Sequence, residues 1–195
     1  MIKHDTRIFG SDVLLLTETQ LKPTDLDDDI RSTLHPFQLF RQDSIDKYSS
    51  LALCFRNTVC NEDNEYFSSV NALKFVTFSL TTQKRKTLLL LYRKQSTNIN
   101  HYLENLKDIL DQHSIDIILG DFNINYLVNN NEVKVLKELM DIYTYTQIVQ
   151  TPTFLSAGIL LDHIYINPQM LAVLDNSVVS VYYSRQAIKV SLIFI

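Results

Sequence analysis

The chain has 195 residues, 46% hydrophobic and 21% charged, which fits one domain and is enough to bury a core without disulfide or metal staples. Its 3 Gly and 4 Pro exclude a collagen-like chain and a long disordered linker. The formal net charge of −4 opposes strong non-specific binding to nucleic acid, which depends on clustered Lys and Arg, but it is compatible with a nuclease, whose site must itself carry carboxylates.

The N-terminus, Met1-Ile2-Lys3-His4-Asp5, has no apolar signal-peptide core, and a short helix is predicted before Ser11-Asp12. Val13-Leu14-Leu15-Leu16 reads as a strand that stops abruptly at Thr17-Glu18-Thr19. Ser50 to Phe55 reads as a buried strand, with Cys54 as a small core residue and Cys60 in a polar loop. The β-formers of Ala72 to Leu80 make another strand. The short basic run Lys84-Arg85-Lys86 reads as a solvated hairpin turn. Thr87 to Tyr92 is nearly all leucine, as expected of a strand covered on both faces. Thr97 to Gln112 carries Ile99, Leu103, Leu106 and Leu110 on one helical face, with Ser96, Thr97 and Asn98 as candidate caps. Ile115 to Leu119 is a strand. Glu132 to Ile142 is a second helix, with Val135, Leu136, Leu139 and Ile142 on its stripe. Leu160 to Ile166, Val178 to Tyr183 and Ile188 to Phe194 complete the predicted strands. Helices between buried strands predict a layered α/β protein.

Polar residues interrupt the apolar strands at three informative places. Glu18 stands at a strand's C-terminal end. Gly120-Asp121-Phe122-Asn123 follows another strand, and in extended chain residues two apart face the same side, so Asp121 and Asn123 converge. Gly120 permits close backbone approach. Asp162 lies inside an otherwise apolar strand, where a charge is costly unless paired or coordinated. Three such acids suit a hard-cation site, and equally suit helix capping or pairing with Arg. Thr153 and Ser156, in the loop before Asp162, are placed either to reach a phosphate or to satisfy the backbone. His163 projects to the face opposite Asp162 and reads as structural.

Thr17-Glu18-Thr19-Gln20-Leu21, Tyr92-Arg93, Gly120-Asp121-Phe122-Asn123 and Leu161-Asp162-His163-Ile164-Tyr165 occur in the order and rough spacing of one known family. The chain resembles the endonuclease/exonuclease/phosphatase (DNase I-like) family from about Ser11 onward. It looks most like the endonuclease domains of non-LTR retrotransposons and related mobile elements. The resemblance implies a four-layer α/β sandwich of two mixed sheets with helices outside. It also implies residue roles. Glu18 would bind a divalent cation, Mg2+ or Mn2+. Tyr92 would donate to the scissile phosphate, and Asp121 would activate the attacking water. Asn123 would hold the phosphate or position Asp121. Asp162 would orient a histidine near the C-terminus.

The chain departs from the family's pattern twice. The family's Ser-Asp-His is replaced by Ser184-Arg185-Gln186, in which nothing shuttles a proton near neutral pH. Ser184 and Arg185 remain candidate phosphate contacts. Loss of one positioned acid–base group costs about 10²–10⁴-fold in rate. The family's first strand, with its Asn, also has no counterpart here, so an N-terminally shortened single domain is expected. The implied function is a Mg2+-dependent phosphodiesterase of endonuclease type on DNA, impaired in this copy. The alternatives are a catalytically dead binding module, a decayed mobile-element relic, and a phosphatase on a small substrate. Without a signal peptide, a disulfide framework or a membrane-length apolar run (roughly 18 residues), the expected location is intracellular, in nucleus or cytoplasm. No specific protein partner is implied.

Overall fold

A computed structural model of the chain describes residues 11–29, 35–43, 50–56, 58–79, 84–168, 171–174 and 190–193. The strands are β1 (Val13–Thr17), β2 (Gln38–Gln42), β3 (Leu51–Phe55), β4 (Val59–Phe67), β5 (Ala72–Ser79), β6 (Arg85–Tyr92), β7 (Ile117–Asp121), β8 (Thr146–Gln147), β9 (Asp162–Ile166), β10 (Leu171–Leu174) and β11 (Val190–Ile193). Two helices, α1 (Ile99–Gln112) and α2 (Asn131–Ile142), flank β7 in sequence. A six-stranded mixed sheet has the order β4-β5-β6-β7-β9-β8, with β6 and β7 parallel. A three-stranded antiparallel sheet has the order β1-β3-β2, and β10 pairs with β11.

The α/β sandwich expected from the sequence is the observed fold, and β6 shows how it is built. Its side chains alternate between faces, as in any strand. Leu88, Leu90 and Tyr92 join Leu51 and Leu53 of β3 in a core between the sheets. Leu89 and Leu91 join Leu103, Leu106 and Leu136 in a second core beneath the helices. Each buried leucine contributes about 1.5–3 kcal/mol, so the Leu88–Leu91 run anchors the middle of the large sheet. Leucine on both faces does not by itself fix the register. The approach of Gly120 to Leu91 does: a Cβ on Gly120 would lie 1.9 Å from the Leu91 carbonyl oxygen. Glycine also tolerates the φ of +145° at this position.

Both helices start on an asparagine. The Asn98 side chain accepts from the His101 N–H at 3.2 Å, and Asn130 accepts from the Val133 N–H at 2.9 Å. Cys54 is buried on the outer face of the small sheet beside Leu14 and Phe37. Among the described residues, no helix is long and apolar enough to cross a membrane.

Several local expectations need correction. Cys60 lies in β4, not in a loop. This edge strand is polar (Asn61, Glu62, Asp63, Asn64, Glu65), and its ladder with β5 holds it without apolar alternation. Arg85 and Lys86 already belong to β6 and pair with Phe78 and Thr77, so they are strand and not turn. Ile142 is 69% exposed, because the buried stripe of α2 is Val133, Leu136, Leu139 and Met140, and Ile142 lies off it. The strand β9 begins at Asp162, so this acid stands at the strand's mouth and not inside it. The expected N-terminal helix and the 178–183 strand fall outside the described residues.

Candidate active site

The ends of three neighbouring strands form one row of polar side chains. Tyr92, the last residue of β6, is the register partner of Asp121, the last residue of β7. Asp121 is in turn the partner of Asp162, the first residue of β9. All three lie on the face toward the small sheet, in phase with Leu90, Leu119 and Ile164 of the inter-sheet core. Adjacent strands lie about 4.8 Å apart, so the row is compact. Two carboxylates directly opposite each other repel, and a cation or a set of donors relieves that repulsion.

The small sheet supplies the facing acid. Glu18 follows β1 in the left-handed conformation (φ 51°), a state that costs a non-glycine residue about 1–2 kcal/mol. Its carboxylate Oε1 accepts a hydrogen bond from the Tyr92 hydroxyl at 2.6 Å. The next residue, Thr19, donates its hydroxyl to Ser50 Oγ at 2.8 Å, which ties the Glu18 loop to the start of β3. Glu18 is partly buried.

Asp121 is fully buried, at 0% exposure, and its Oδ1 accepts the Asn123 backbone N–H at 2.9 Å. Asn123 adopts φ 49°, so the chain turns here and is not extended as expected. Asn tolerates that conformation because its short polar side chain bonds locally. Asp121 and Asn123 converge through this turn, and the Asn123 Nδ2 donates to the Arg93 carbonyl at 2.7 Å. Asp162 is held by its backbone: Thr153 Oγ1 accepts from the Leu161 and Asp162 N–H groups at 3.1 and 3.2 Å. Thr153 is thus a backbone partner, and Ser156 is exposed in the turn beyond it.

His163 lies on the opposite face, buried and stacked on Phe122 with ring centroids 4.7 Å apart. Burial pushes its imidazole down to about 4 against hydrogen bonds to backbone carbonyls that act the other way. A neutral His163 shares a 2.9 Å hydrogen bond with the Ile124 carbonyl, a structural role. Ser184 and Arg185 lie outside the described residues.

Sequence reasoning quoted Arg93 but gave it no role. It is 2% exposed, and its fork donates to the carbonyls of Phe122 and Asn123, both at 3.3 Å, and to that of Thr97 at 2.8 Å. It also pairs with Glu132 at 3.2 Å. It thereby fixes the backbone that carries Asn123. Asn71 does the same for Tyr92, accepting its N–H and donating to its carbonyl, each at 3.2 Å. Apart from the Arg93–Thr97 bond, four positions apart, these contacts join residues 21 to 39 positions apart, and no local pattern announces them.

Among the described residues, His, Cys, Asp and Glu side chains do not gather in threes into a metal cage. Magnesium needs no such cage, because it binds through one or two carboxylates and completes its shell with water and substrate phosphate. A single half-buried Glu18 carboxylate among hard oxygen donors, with Cys54 on the far face of its sheet, fits that mode.

No protein-family model and no curated protein sequence matches the chain. Solved structures do. The endonuclease domain of TRAS1, a telomere-specific non-LTR retrotransposon, superposes with a TM-score of 0.71 at 15% identity, covering 98% of this chain and 88% of that one. A mannosyl-6-phosphatase of Bacteroides thetaiotaomicron gives 0.66 at 13% identity, covering 99% and 89%. An endonuclease/exonuclease/phosphatase family protein from Leptotrichia buccalis gives 0.65 at 13%, covering 95% and 88%. The chain has the DNase I-like α/β fold that these proteins share.

Proposed function

We propose that the chain is a divalent-cation-dependent phosphodiesterase of endonuclease type that acts on DNA with weak turnover. One observation carries the reading: the Tyr92–Glu18 hydrogen bond, which brings the small sheet's acid to the row of Tyr92, Asp121 and Asp162 on the large sheet. The likeness in fold to a retrotransposon endonuclease domain supports the choice of DNA.

In this reading Glu18 holds Mg2+, or Mn2+ in its place. The cation, when bound, supplies charge stabilisation to the phosphoryl and leaving oxygens. The Tyr92 hydroxyl, already oriented by Glu18, turns its proton to a non-bridging phosphate oxygen. Asp121, aligned by the Asn123 N–H, accepts the proton of the attacking water. The Asn123 amide, held at Arg93, orients the phosphate. Asp162 keeps its place beside Asp121, but the histidine that would work with it is replaced by Gln186. That replacement is the reason to expect weak turnover. Ser184 and Arg185 are proposed phosphate contacts, with Arg185 acting only as a fixed charge.

A small phosphorylated substrate is the second reading. The net charge of −4 favours it, as does the occurrence of the same fold in a sugar phosphatase. A binding-only role is the third, favoured by the missing acid–base pair.

Nicking of supercoiled plasmid in Mg2+ separates them. The unaltered chain, an Asp121→Ala control and an Arg185→Asp/Gln186→His double variant are compared. Weak nicking that the control abolishes and the double variant raises supports the reading. Turnover of a small phosphate monoester with intact plasmid moves the assignment to the second reading. Silence of all three folded proteins on both substrates leaves binding alone.

A further inference from the structure

The turn between β4 and β5 ends on Asn71, one residue before β5 begins. Ala72 is the register partner of Leu91, so Asn71 stands opposite Tyr92 at the end of the β5–β6 ladder. Two residues in a hydrogen-bonded antiparallel pair exchange both of their N–H···O bonds. Here one of the two bonds is ordinary: the Asn71 carbonyl accepts the Tyr92 N–H at 3.2 Å. The other is not. Asn71 adopts φ 46°, and its own N–H turns back to the Ser68 carbonyl at 3.4 Å. The side chain takes its place, with Asn71 Nδ2 donating to the Tyr92 carbonyl at 3.2 Å. A side-chain amide thus completes the rung at the residue whose hydroxyl meets Glu18.

The amide is itself oriented. The Tyr66 hydroxyl of β4 donates to Asn71 Oδ1 at 2.7 Å, which leaves the amide nitrogen for Tyr92. The position asks for two things at once, tolerance of the left-handed region and a donor on a short stem. Glycine has only the first, and Asp has the shape without the donor. The phenol of Tyr92 is a rigid lever, so a small tilt of its backbone becomes a larger displacement at its hydroxyl. A misplacement of about 1 Å can cost about 10²-fold in rate. We infer that Asn71 is a positioning residue for Tyr92, with Tyr66 holding the Asn71 amide in its working orientation. This rests on the phosphodiesterase reading and extends the machinery of the site to the β4–β5 turn.

Two variants of the full chain separate the side chain from the backbone it sits on. Asn71→Gly keeps the left-handed turn without strain and removes the amide. Asn71→Asp keeps the shape and the acceptor for Tyr66 and removes only the donor. NMR of chain labelled at the tyrosine Cζ reads the Tyr92 hydroxyl directly, its signal being the one lost in Tyr92→Phe. Both Asn71 variants are expected to move the Tyr92 signal in the direction that Glu18→Gln moves it, while the buried Tyr145 and Tyr165 stay in place. Tyr66→Phe should move it less, because water can replace a hydroxyl on a residue 36% exposed. In plasmid nicking, Asn71→Gly is expected to lower kcat about tenfold or more and to leave KM within about twofold. In a Tyr92→Phe background the same change should cost about twofold or less, since no hydroxyl remains to be placed. A Tyr92 signal that stays put in Asn71→Gly overturns the inference whether or not the chain cleaves anything. So does a shift of all three tyrosines together, which would make Asn71 a residue of the fold alone. An Asn71→Asp chain that behaves like the unaltered one removes the donor from the argument and overturns it too. A moved Tyr92 signal in a chain that never nicks sinks the phosphodiesterase reading and leaves Asn71 as the residue that sets Tyr92.

Discussion

The Tyr92 hydroxyl and the Glu18 carboxylate meet at 2.6 Å although 74 residues separate them in sequence. One belongs to the large sheet and the other to the small one. Their meeting is a product of sheet–sheet packing, and each holds the other in the geometry that the proposed chemistry needs.

If the two act as a unit, their losses do not add. Tyr92→Phe keeps the ring in the core and is expected to lower plasmid nicking about 10²-fold. Glu18→Gln is expected to lower it at least as far and to raise the Mg2+ concentration needed for half the maximal rate. The double variant should be no worse than the poorer single one. Losses that multiply would mean that the hydroxyl and the carboxylate work independently.

Arg93→Ala strips donors from three carbonyls and leaves Glu132 without its cation. The expected destabilisation is about 2–4 kcal/mol, read from urea unfolding. Arg93→Lys should recover little of it, because an ammonium does not reproduce the planar fork. A loss below about 1 kcal/mol would mean that the backbone of residues 122–123 holds itself without Arg93.

Gly120→Ala places a methyl group 1.9 Å from the Leu91 carbonyl oxygen, in backbone, where nothing flexible can yield. The expected result is a loss of about 3 kcal/mol or more, with nicking lost in whatever protein still folds. The control is Gly158→Ala, where no atom lies within 4 Å of the added carbon. Its φ of +67° still brings some strain, so a small loss is expected there. Equal losses at the two glycines would rule out the close approach as the cause.

His163 links stability to pH. Its imidazole titrates near 4 in the folded chain against an ordinary value of 6.5. Above about pH 6.5 it is neutral in both states and subtracts nothing. As pH falls from there toward 4, the unfolded chain takes up a proton that the folded chain refuses. Stability should therefore drain by about 3 kcal/mol across that window. Urea midpoints for the unaltered chain and His163→Gln should converge in slope above pH 6.5 and diverge below it. Parallel curves down to pH 4 would show that His163 is not the group responsible.

The strands of the large sheet were legible because burial on both faces writes itself as an unbroken apolar run, as in Leu88–Leu91. The helices were legible from their stripe and from Asn98. The polar edge strand β4 was not, since its ladder with β5 rather than its composition holds it. Of the candidate site, Glu18, Asp121 and Asp162 stood out because polar residues at the ends of apolar strands are costly and therefore conspicuous, whereas Tyr92 entered only through the family resemblance. Arg93 and Asn71 did not stand out. Their parts are defined by backbone groups that come together only once distant segments have met.

The division of the acids between two sheets makes ligand binding and sheet packing reciprocal. Any ligand that grips Glu18 on one side and Asp121 or Asn123 on the other tightens the inter-sheet core by the free energy with which it prefers the closed arrangement. The same linkage runs backward: trimming Leu53 or Leu90, which touch no substrate in this reading, would weaken binding at the row by the amount that packing is coupled to it. Affinity here is set partly by hydrocarbon.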